Sequence, residues 1–116
     1  MATDFRSGTD FPRRGRDASG EFLWLHRVAD KARAAAAGTI HDYIYPCPMD
    51  RGIFERWGVS PAEFDAALRE CPTDEALLGW MTAHVDAAHR DAANRWVRDE
   101  KAASLDRQDR EEGVAA

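Results

Sequence analysis

Apolar residues recur every three to four positions over most of the chain, which is the period of an amphipathic helix. The clearest run extends from about residue 20 to residue 37. Ser19 is expected to cap its first turn, and Gly38 is expected to end it. The stripe that we expect to face the core consists of Phe22, Leu25, Val28, Ala29, Ala32 and Ala36.

Start and stop residues divide the next part of the chain into shorter helices. Residues 60–63, with the sequence SPAE, combine an N-cap serine, a first-turn proline and a capping-box glutamate. We expect the helix that begins there to end before Pro72, and we expect Thr73 to cap the next one. A shorter helix before residue 60 is expected to be capped by Asp50 and to end at Gly58.

The remaining segments lack this period. Residues 38–50 contain two prolines that interrupt a helix, and they are predicted to form an ordered loop. Residues 1–18 are predicted to be an extended N-terminal arm, and the charged residues 98–116 a frayed C-terminal tail. The helical domain would span residues 19–97, with a bend near Ala87. The pattern predicts an all-α fold, a small orthogonal bundle of four to five helices with an ordered loop that contains proline and tyrosine.

The composition fits one compact domain with an acidic surface. The chain has 116 residues and a mass of 13.0 kDa, and 44% of its residues are hydrophobic and 32% charged. These fractions are close to those of globular proteins. The net charge of -5 argues against nucleic acid as a partner, because binding to phosphates requires a basic face.

The cellular location is inferred from apolar runs and cysteines. The sequence has no apolar run of about 18 residues, and Asp4, Arg6 and Asp10 interrupt any apolar core of a secretion signal. We therefore expect a cytoplasmic protein that has no membrane partner. Cys47 and Cys71 are expected to be free thiols, because disulfides are rare in the reducing cytosol.

Three stretches carry a resemblance to a known family. The region of resemblance covers residues 11–81. The three stretches have the sequences FPRRGRDASGEFLWLHRVADKARA, GTIHDYIYPCPMD and FERWGVSPAEFDAAL. This region resembles the bacterial DUF5069 family of uncharacterised proteins. The resemblance implies a compact helical domain and indicates no reaction. His26 stands where a proline is common in the family, so the resemblance implies no role for it. The family-pattern positions are Asp30, Lys31, Arg33, Tyr43, Cys47, Pro48 and Asp50.

Polar residues are densest on the loop 38–50 and the preceding helix, and loops on a rigid scaffold commonly carry function. We expect Lys31 and Arg33 to hold an anionic group, with Tyr43 and Tyr45 as walls of the pocket. In the alternative interpretation, Asp30 and Arg33 only stabilise their helix as an i, i+3 ion pair. The candidate ligand-binding residues are Asp30, Lys31, Arg33, Tyr43, Tyr45 and Asp50.

Two interpretations of Cys47 stay open. Prolines flank it on both sides, and a helix is predicted to begin nearby. Thiols at helix N-termini or beside basic groups become nucleophiles, so Cys47 with His41 as base could serve a small thiol-dependent enzyme. The other interpretation is a small apolar side chain that packs the loop against the core.

Metal and DNA sites are not favoured. Structural zinc sites bring ligands in closely spaced pairs, and the sequence has no two such pairs, so we predict no metal and no cofactor. Residues 50–70 superficially resemble a helix-turn-helix, but the second helix carries Glu63, Asp65 and Glu70 against Arg69 alone. An acidic recognition helix would repel phosphate, so an αα-hairpin is the better interpretation.

Four tryptophans lie on predicted helices, where core packing is the usual role. Trp96 is the one that we expect to be exposed, because a charged segment follows it. A C-terminal helix with Ala92, Trp96 and Val97 on one side could pair in a homodimer. We expect a binding domain for a protein partner or a small anionic ligand near the loop 38–50, with the thiol-dependent enzyme as the alternative.

Overall fold

A computed structural model of the protein describes residues 4–8 and 10–113. This part of the chain is all-helical, with six α-helices where the sequence predicted four or five, and no strand. None of the described helices has the length and apolar character needed to cross a membrane. The helices are α1 (Leu25–Ala37), α2 (Pro48–Trp57), α3 (Pro61–Glu70), α4 (Asp74–His84), α5 (Ala87–Arg95) and α6 (Ala102–Glu111), with a π-helical segment (Trp96–Glu100) between α5 and α6.

Helix α1 begins later than the sequence pattern predicted, and the assignment of Ser19 as its N-cap is wrong. Ser19 and Phe22 exchange backbone hydrogen bonds of 2.9 Å in both directions, which closes a tight turn before the helix. Gly20 permits this turn through its positive φ of 58°. The residue at the N-cap is Trp24, whose side chain makes no capping hydrogen bond. The predicted end at Gly38 is confirmed, with a φ of 73°.

Helix α2 is capped by Cys47, so the assignment of Asp50 as its N-cap is also wrong. The Cys47 Sγ accepts a hydrogen bond from the Asp50 backbone N–H at 3.4 Å, and Asp50 Oδ2 accepts from the Cys47 N–H at 3.0 Å. Asp50 is therefore the third helical residue of a capping box, with Pro48 in the first position. The predicted end at Gly58 is confirmed.

The next two helix starts are confirmed. Ser60 and Glu63 exchange hydrogen bonds of 3.0 and 3.1 Å at the start of α3, as a capping box requires. The Thr73 hydroxyl accepts from the backbone N–H of Ala76 at 3.1 Å and caps α4. The bend expected near Ala87 is a break between α4 and α5, where Asp86 caps the second helix.

Aromatic side chains fill the centre of the core. Trp24 and Trp57 are buried, and the rings of Phe54 and Phe64 lie 5.1 Å apart, each also in contact with Trp57. Trp80 is half-buried and stacks on His84 at the surface. The core thus holds α1, α2 and α3 together around two indole rings, and smaller apolar residues of α4, α5 and α6 close it.

Both ends of the described chain pack against the domain. Phe5 of the predicted arm is buried, whereas Phe11 is 40% exposed. Where the sequence suggested a frayed tail, the described residues up to Gly113 include α6, whose Leu105 is buried. Burial of Phe5 and Leu105 brings the two end segments into the same globule as the helices.

Candidate functional site

A polar network lies inside the protein between α1 and α2. Its centre is Asp50, whose side chain has no exposed surface. The carboxylate accepts hydrogen bonds from Trp24 Nε1 at 2.8 Å, Lys31 Nζ at 2.7 Å and the Cys47 backbone N–H at 3.0 Å. A buried carboxylate is stable only when paired and hydrogen-bonded, and these donors satisfy both oxygens.

Local backbone features position this network. Trp24 adopts a left-handed conformation with φ of 70°, which is uncommon for a bulky residue and directs its indole toward Asp50. The Trp24 N–H donates to the Gly15 carbonyl at 2.8 Å, and the indole lies over Gly15, where a Cβ would overlap the ring. Gly15 therefore allows the close approach of the N-terminal segment to the network.

Cys47 lies at the edge of the network. Its Sγ accepts hydrogen bonds from Lys31 Nζ at 3.3 Å and from the Asp50 backbone N–H at 3.4 Å. The thiol is free and half-buried, and it lines a groove of about 330 Å³ with residues of the π-helical segment and α6. The polar and aromatic residues of this groove include Trp96, Lys101, Ser104 and Arg107.

His41 and Cys47 lie in different surroundings. His41 is exposed, has a positive φ of 56°, and its Nε2 lies 3.4 Å from Asp42 Oδ2. The side-chain neighbour of the Cys47 sulfur is Lys31. The hypothesis of a thiol-dependent enzyme stays a prediction, with a lysine beside the thiol where a histidine was expected.

Asp30 and Arg33 belong to a second polar cluster and pair with different residues. Arg13 contacts Asp30 at 2.9 Å and Asp74 at 2.7 Å, and Arg33 contacts Asp74 at 3.0 Å. Hydrogen bonds from Arg13, with those from Arg33, hold the pKa of Asp74 well below its usual range. This cluster ties the N-terminal segment to α1 and α4.

Tyr43 lies away from Tyr45 and holds the C-terminal end. Its hydroxyl donates to Glu112 Oε2 at 2.9 Å, and the same carboxylate pairs with buried Arg27 at 2.6 Å. Burial, with the hydrogen bond to Glu112, raises the pKa of Tyr43. The ring also contacts Phe5 edge-on at 5.2 Å. Tyr43 thereby links the loop to both end segments.

Tyr45 and Arg33 meet at a groove between α1 and α3. The groove has a volume of about 600 Å³. The Tyr45 hydroxyl donates to Asp65 at 2.7 Å, and burial of the ring raises the pKa of Tyr45. Of the six candidate ligand-binding residues, the structure brings these two to the groove and places Lys31 and Asp50 in the interior. The groove is lined by Ala32, Arg33, Ala35, Ala36, Ala37, Tyr45, Asp65, Leu68, Arg69 and Pro72.

Sequence reasoning missed several residues that build these sites. Trp24 was expected in the core like the other tryptophans, and Arg13 was given no role in a site. Trp96, expected to be exposed, is half-buried between Arg56 at 4.1 Å and Lys101 at 5.2 Å. Most of these contacts join residues far apart in the chain, such as Trp96 and Arg56, so no local pattern signals them. A homodimer through the C-terminal helix stays a prediction.

These features define a small all-helical domain with a buried Asp–Lys–Trp network that reaches a cysteine thiol. Among the described residues, no three His, Cys, Asp or Glu side chains converge to hold a metal ion. The chain belongs to the family described as Domain of unknown function (DUF5069), which matches residues 9–116. The resemblance noted from the sequence is thus confirmed and extends through α6. No curated protein matches the chain.

Proposed function

We propose that this protein is a binding domain whose groove between α1 and α3 takes a small ligand with an apolar body and one anionic group. The groove adjoins the loop 38–50 at Tyr45. Its volume of about 600 Å³ lies within the range of small-ligand sites, about 300–1,000 Å³, which have mostly apolar walls and a few polar groups. The observation that carries the proposal is the presence of Arg33 in this wall.

Arg33 has an unused hydrogen-bond donor. Its Nη1 donates to Asp74 at 3.0 Å, while Nη2 is buried and has no hydrogen-bond partner in the described part of the chain. A guanidinium group binds carboxylates through paired N–H donors, so a rotation of the Arg33 side chain toward the groove would give this donor an anionic partner. Arg69 is exposed on α3 and brings a second positive charge to the same groove.

The apolar walls supply the other half of the proposed recognition. Ala32, Ala35 and Ala36 have short side chains, which leave open space along α1, and Leu68 and Pro72 face that space from the other side. Burial of a hydrocarbon chain would provide affinity, and the guanidinium would fix its orientation. We also propose the orthogonal bundle expected from the sequence, because crossing helices leave such grooves open.

Calorimetric titration of the full chain with a medium-chain fatty acid tests the proposal. The control ligand is the uncharged alcohol with the same chain length as the fatty acid. The carboxylate should bind at least about tenfold more tightly, because a hydrogen bond to a charged group contributes about 1.5–3 kcal/mol. Equal affinity for the two ligands, or no binding of either, would overturn the proposal.

Two tryptophan variants locate the binding. Ala36→Trp places an indole in the groove at an exposed position and should abolish binding while leaving the fold intact. Ala88→Trp adds the same side chain at an exposed position on α5, outside the groove, and should bind like the natural protein. If Ala36→Trp binds the fatty acid normally, the ligand occupies another surface.

A further inference from the structure

The thiol of Cys47 and the amine of Lys31 lie in direct contact. The distance from Nζ to Sγ is 3.3 Å, and Lys31 is held there by its 2.7 Å ion pair with Asp50. The Lys31 side chain is only 5% exposed, so it has no room to turn toward solvent. The amine is therefore a fixed neighbour of the sulfur.

A small molecule can reach the sulfur from outside. Cys47 is half-buried and lines the groove of about 330 Å³ that it shares with Met49, Trp96 and Lys101. Lys31 is absent from the walls of this groove and approaches the sulfur from the protein interior. An oxidant that enters the groove would thus meet the thiol before the amine.

We propose that Cys47 and Lys31 form a peroxide-sensitive modification site. In this proposal a peroxide oxidises the thiol, and the Lys31 amine captures the product as a sulfenamide, a covalent sulfur–nitrogen bond. The bond would link α1 to the N-cap residue of α2. The inference does not depend on ligand binding in the groove between α1 and α3.

Two balanced steps describe the reaction. In the first, the sulfur attacks hydrogen peroxide, an S–O bond forms, the O–O bond breaks, and the products are a sulfenic acid and water. In the second, the neutral Lys31 amine attacks the sulfur, an S–N bond forms, the S–O bond breaks, and a second water leaves. The sulfur is oxidised and the peroxide is reduced, so no other oxidant is needed.

Asp50 can take up the proton that is released in the second step. Its Oδ2 lies 2.7 Å from Lys31 Nζ and can accept the proton that the ammonium group must lose. The buried site starts with one positive and one negative charge and ends with a neutral sulfenamide and a neutral carboxylic acid. No unpaired charge is left in the interior, which removes the main barrier to reaction at a buried ion pair.

Peptide mass spectrometry after mild hydrogen peroxide treatment of the folded full chain tests the proposal. Trypsin does not cleave at a modified lysine, so peptide 28–33 should appear joined to peptide 34–51. The joined mass should be two hydrogen atoms below the sum of the two reduced peptides. Dithiothreitol should separate them, since thiols reduce sulfur–nitrogen bonds.

Matched variants assign the two atoms. Cys71→Ser should retain the crosslink, while Cys47→Ser and Lys31→Arg should lose it. In Lys31→Arg the sulfenic acid should remain and react with dimedone. If Lys31→Arg fails to fold, the crosslinked peptide from the natural protein still tests the proposal. A folded protein in which Cys47 resists peroxide, or forms only oxygen adducts and disulfides, would overturn the proposal.

Discussion

At the scale of single residues, the charge of Asp50 is the most constrained feature of the protein. The carboxylate is fully buried, and Lys31, its ionic partner, is nearly so. Trp24 Nε1 and the Cys47 N–H use the same two oxygens. Burial of either charge alone is costly, so each of the two residues is stable in the core only because the other is present.

Asp50→Asn should destabilise the protein by about 3 kcal/mol or more, because it leaves the Lys31 ammonium buried without a counter-charge. The free energy of unfolding in urea at neutral pH measures this loss. A shift of the unfolding midpoint with an unchanged slope would show that stability, and not the cooperativity of unfolding, has changed.

A second substitution separates the ion pair from the hydrogen bonds. Lys31→Met in the Asp50→Asn background should recover about 1–3 kcal/mol, because it removes the unpaired ammonium and fills the same space. The matched control is Lys31→Met alone, which should destabilise by leaving the carboxylate unpaired. Strictly additive effects in the double variant would contradict a coupled pair.

Sequence reasoning singled out Lys31, Cys47 and Asp50 of this network, but it missed Trp24 as a donor and the connections among the four residues. Prolines and a helix start pointed to Cys47 and Asp50, and the family resemblance pointed to Lys31. Their pairing depends on the approach of α1 to α2 across 19 positions of the chain. Residues 19 positions apart are too distant for a helical repeat to indicate their contact. The turn before Trp24 has no sequence signal other than Gly20.

At the scale of helices, the contact between α2 and the π-helical segment depends on a glycine. Gly52 has no Cβ, and the indole of Trp96 occupies the place where one would lie. Arg56 covers the ring at 4.1 Å, one turn further along α2. A glycine inside a helix ordinarily destabilises the helix. The close packing of Trp96 explains why α2 has a glycine at position 52.

Alanine substitutions at two helical glycines should have opposite effects. Gly52→Ala should destabilise by about 1 kcal/mol, because displacement of the Trp96 ring outweighs the helix propensity of alanine. Gly79→Ala, in α4, should stabilise by about 0.5–1 kcal/mol, because nothing lies near the added methyl group. Thermal unfolding of both variants beside the natural protein gives the comparison.

The tryptophan itself provides the control for this comparison. In a Trp96→Ala background, Gly52→Ala should become neutral or stabilising, since the ring that it displaces is gone. If Gly52→Ala has the same effect with and without Trp96, the indole is not the cause of the destabilisation.

The starts of α3 and α4, which have serine and threonine caps, were predicted correctly. The cap of α2 was not, because cysteine is an unusual N-cap, and neither was the start of α1, which depends on distant contacts. The capping residues of α3 and α4 lie within three positions of their partners, so their sequence contains the whole motif. The start of α1 is set by Trp24, which Asp50 and Gly15 hold from other parts of the chain. The local signal at Ser19 therefore gave the wrong boundary.

At the scale of the whole molecule, arginines of the N-terminal segment connect several helices. Arg13 binds Asp30 of α1 and Asp74 of α4, and Arg14 contacts Asp109 of α6 at 2.7 Å. The sequence predicted an all-helical protein correctly. It did not indicate these connections, because alternating arginines and aspartates in a short segment usually belong to a solvated surface.

These connections predict the behaviour of the protein in acid. Hydrogen bonds from Arg13 lower the pKa of Asp74, and those from Arg14 lower the pKa of Asp109. Each carboxylate has a pKa in the folded state below the value of about 3.9 expected in the unfolded chain. Each therefore stabilises the folded state fully above about pH 4, and this contribution is lost as the pH falls through the folded-state pKa.

Asp74→Asn and Asp109→Asn should each lower the melting temperature at neutral pH and make it fall less steeply below pH 4, because one titrating contact is already absent. Asp42→Asn is the control, since that carboxylate lies on the exposed loop with a side chain 90% exposed. Melting temperatures measured by circular dichroism between pH 7 and pH 2 make the comparison. If the two variants lose stability in acid as steeply as the natural protein and the control, the arginine contacts do not hold the N-terminal segment to the helices.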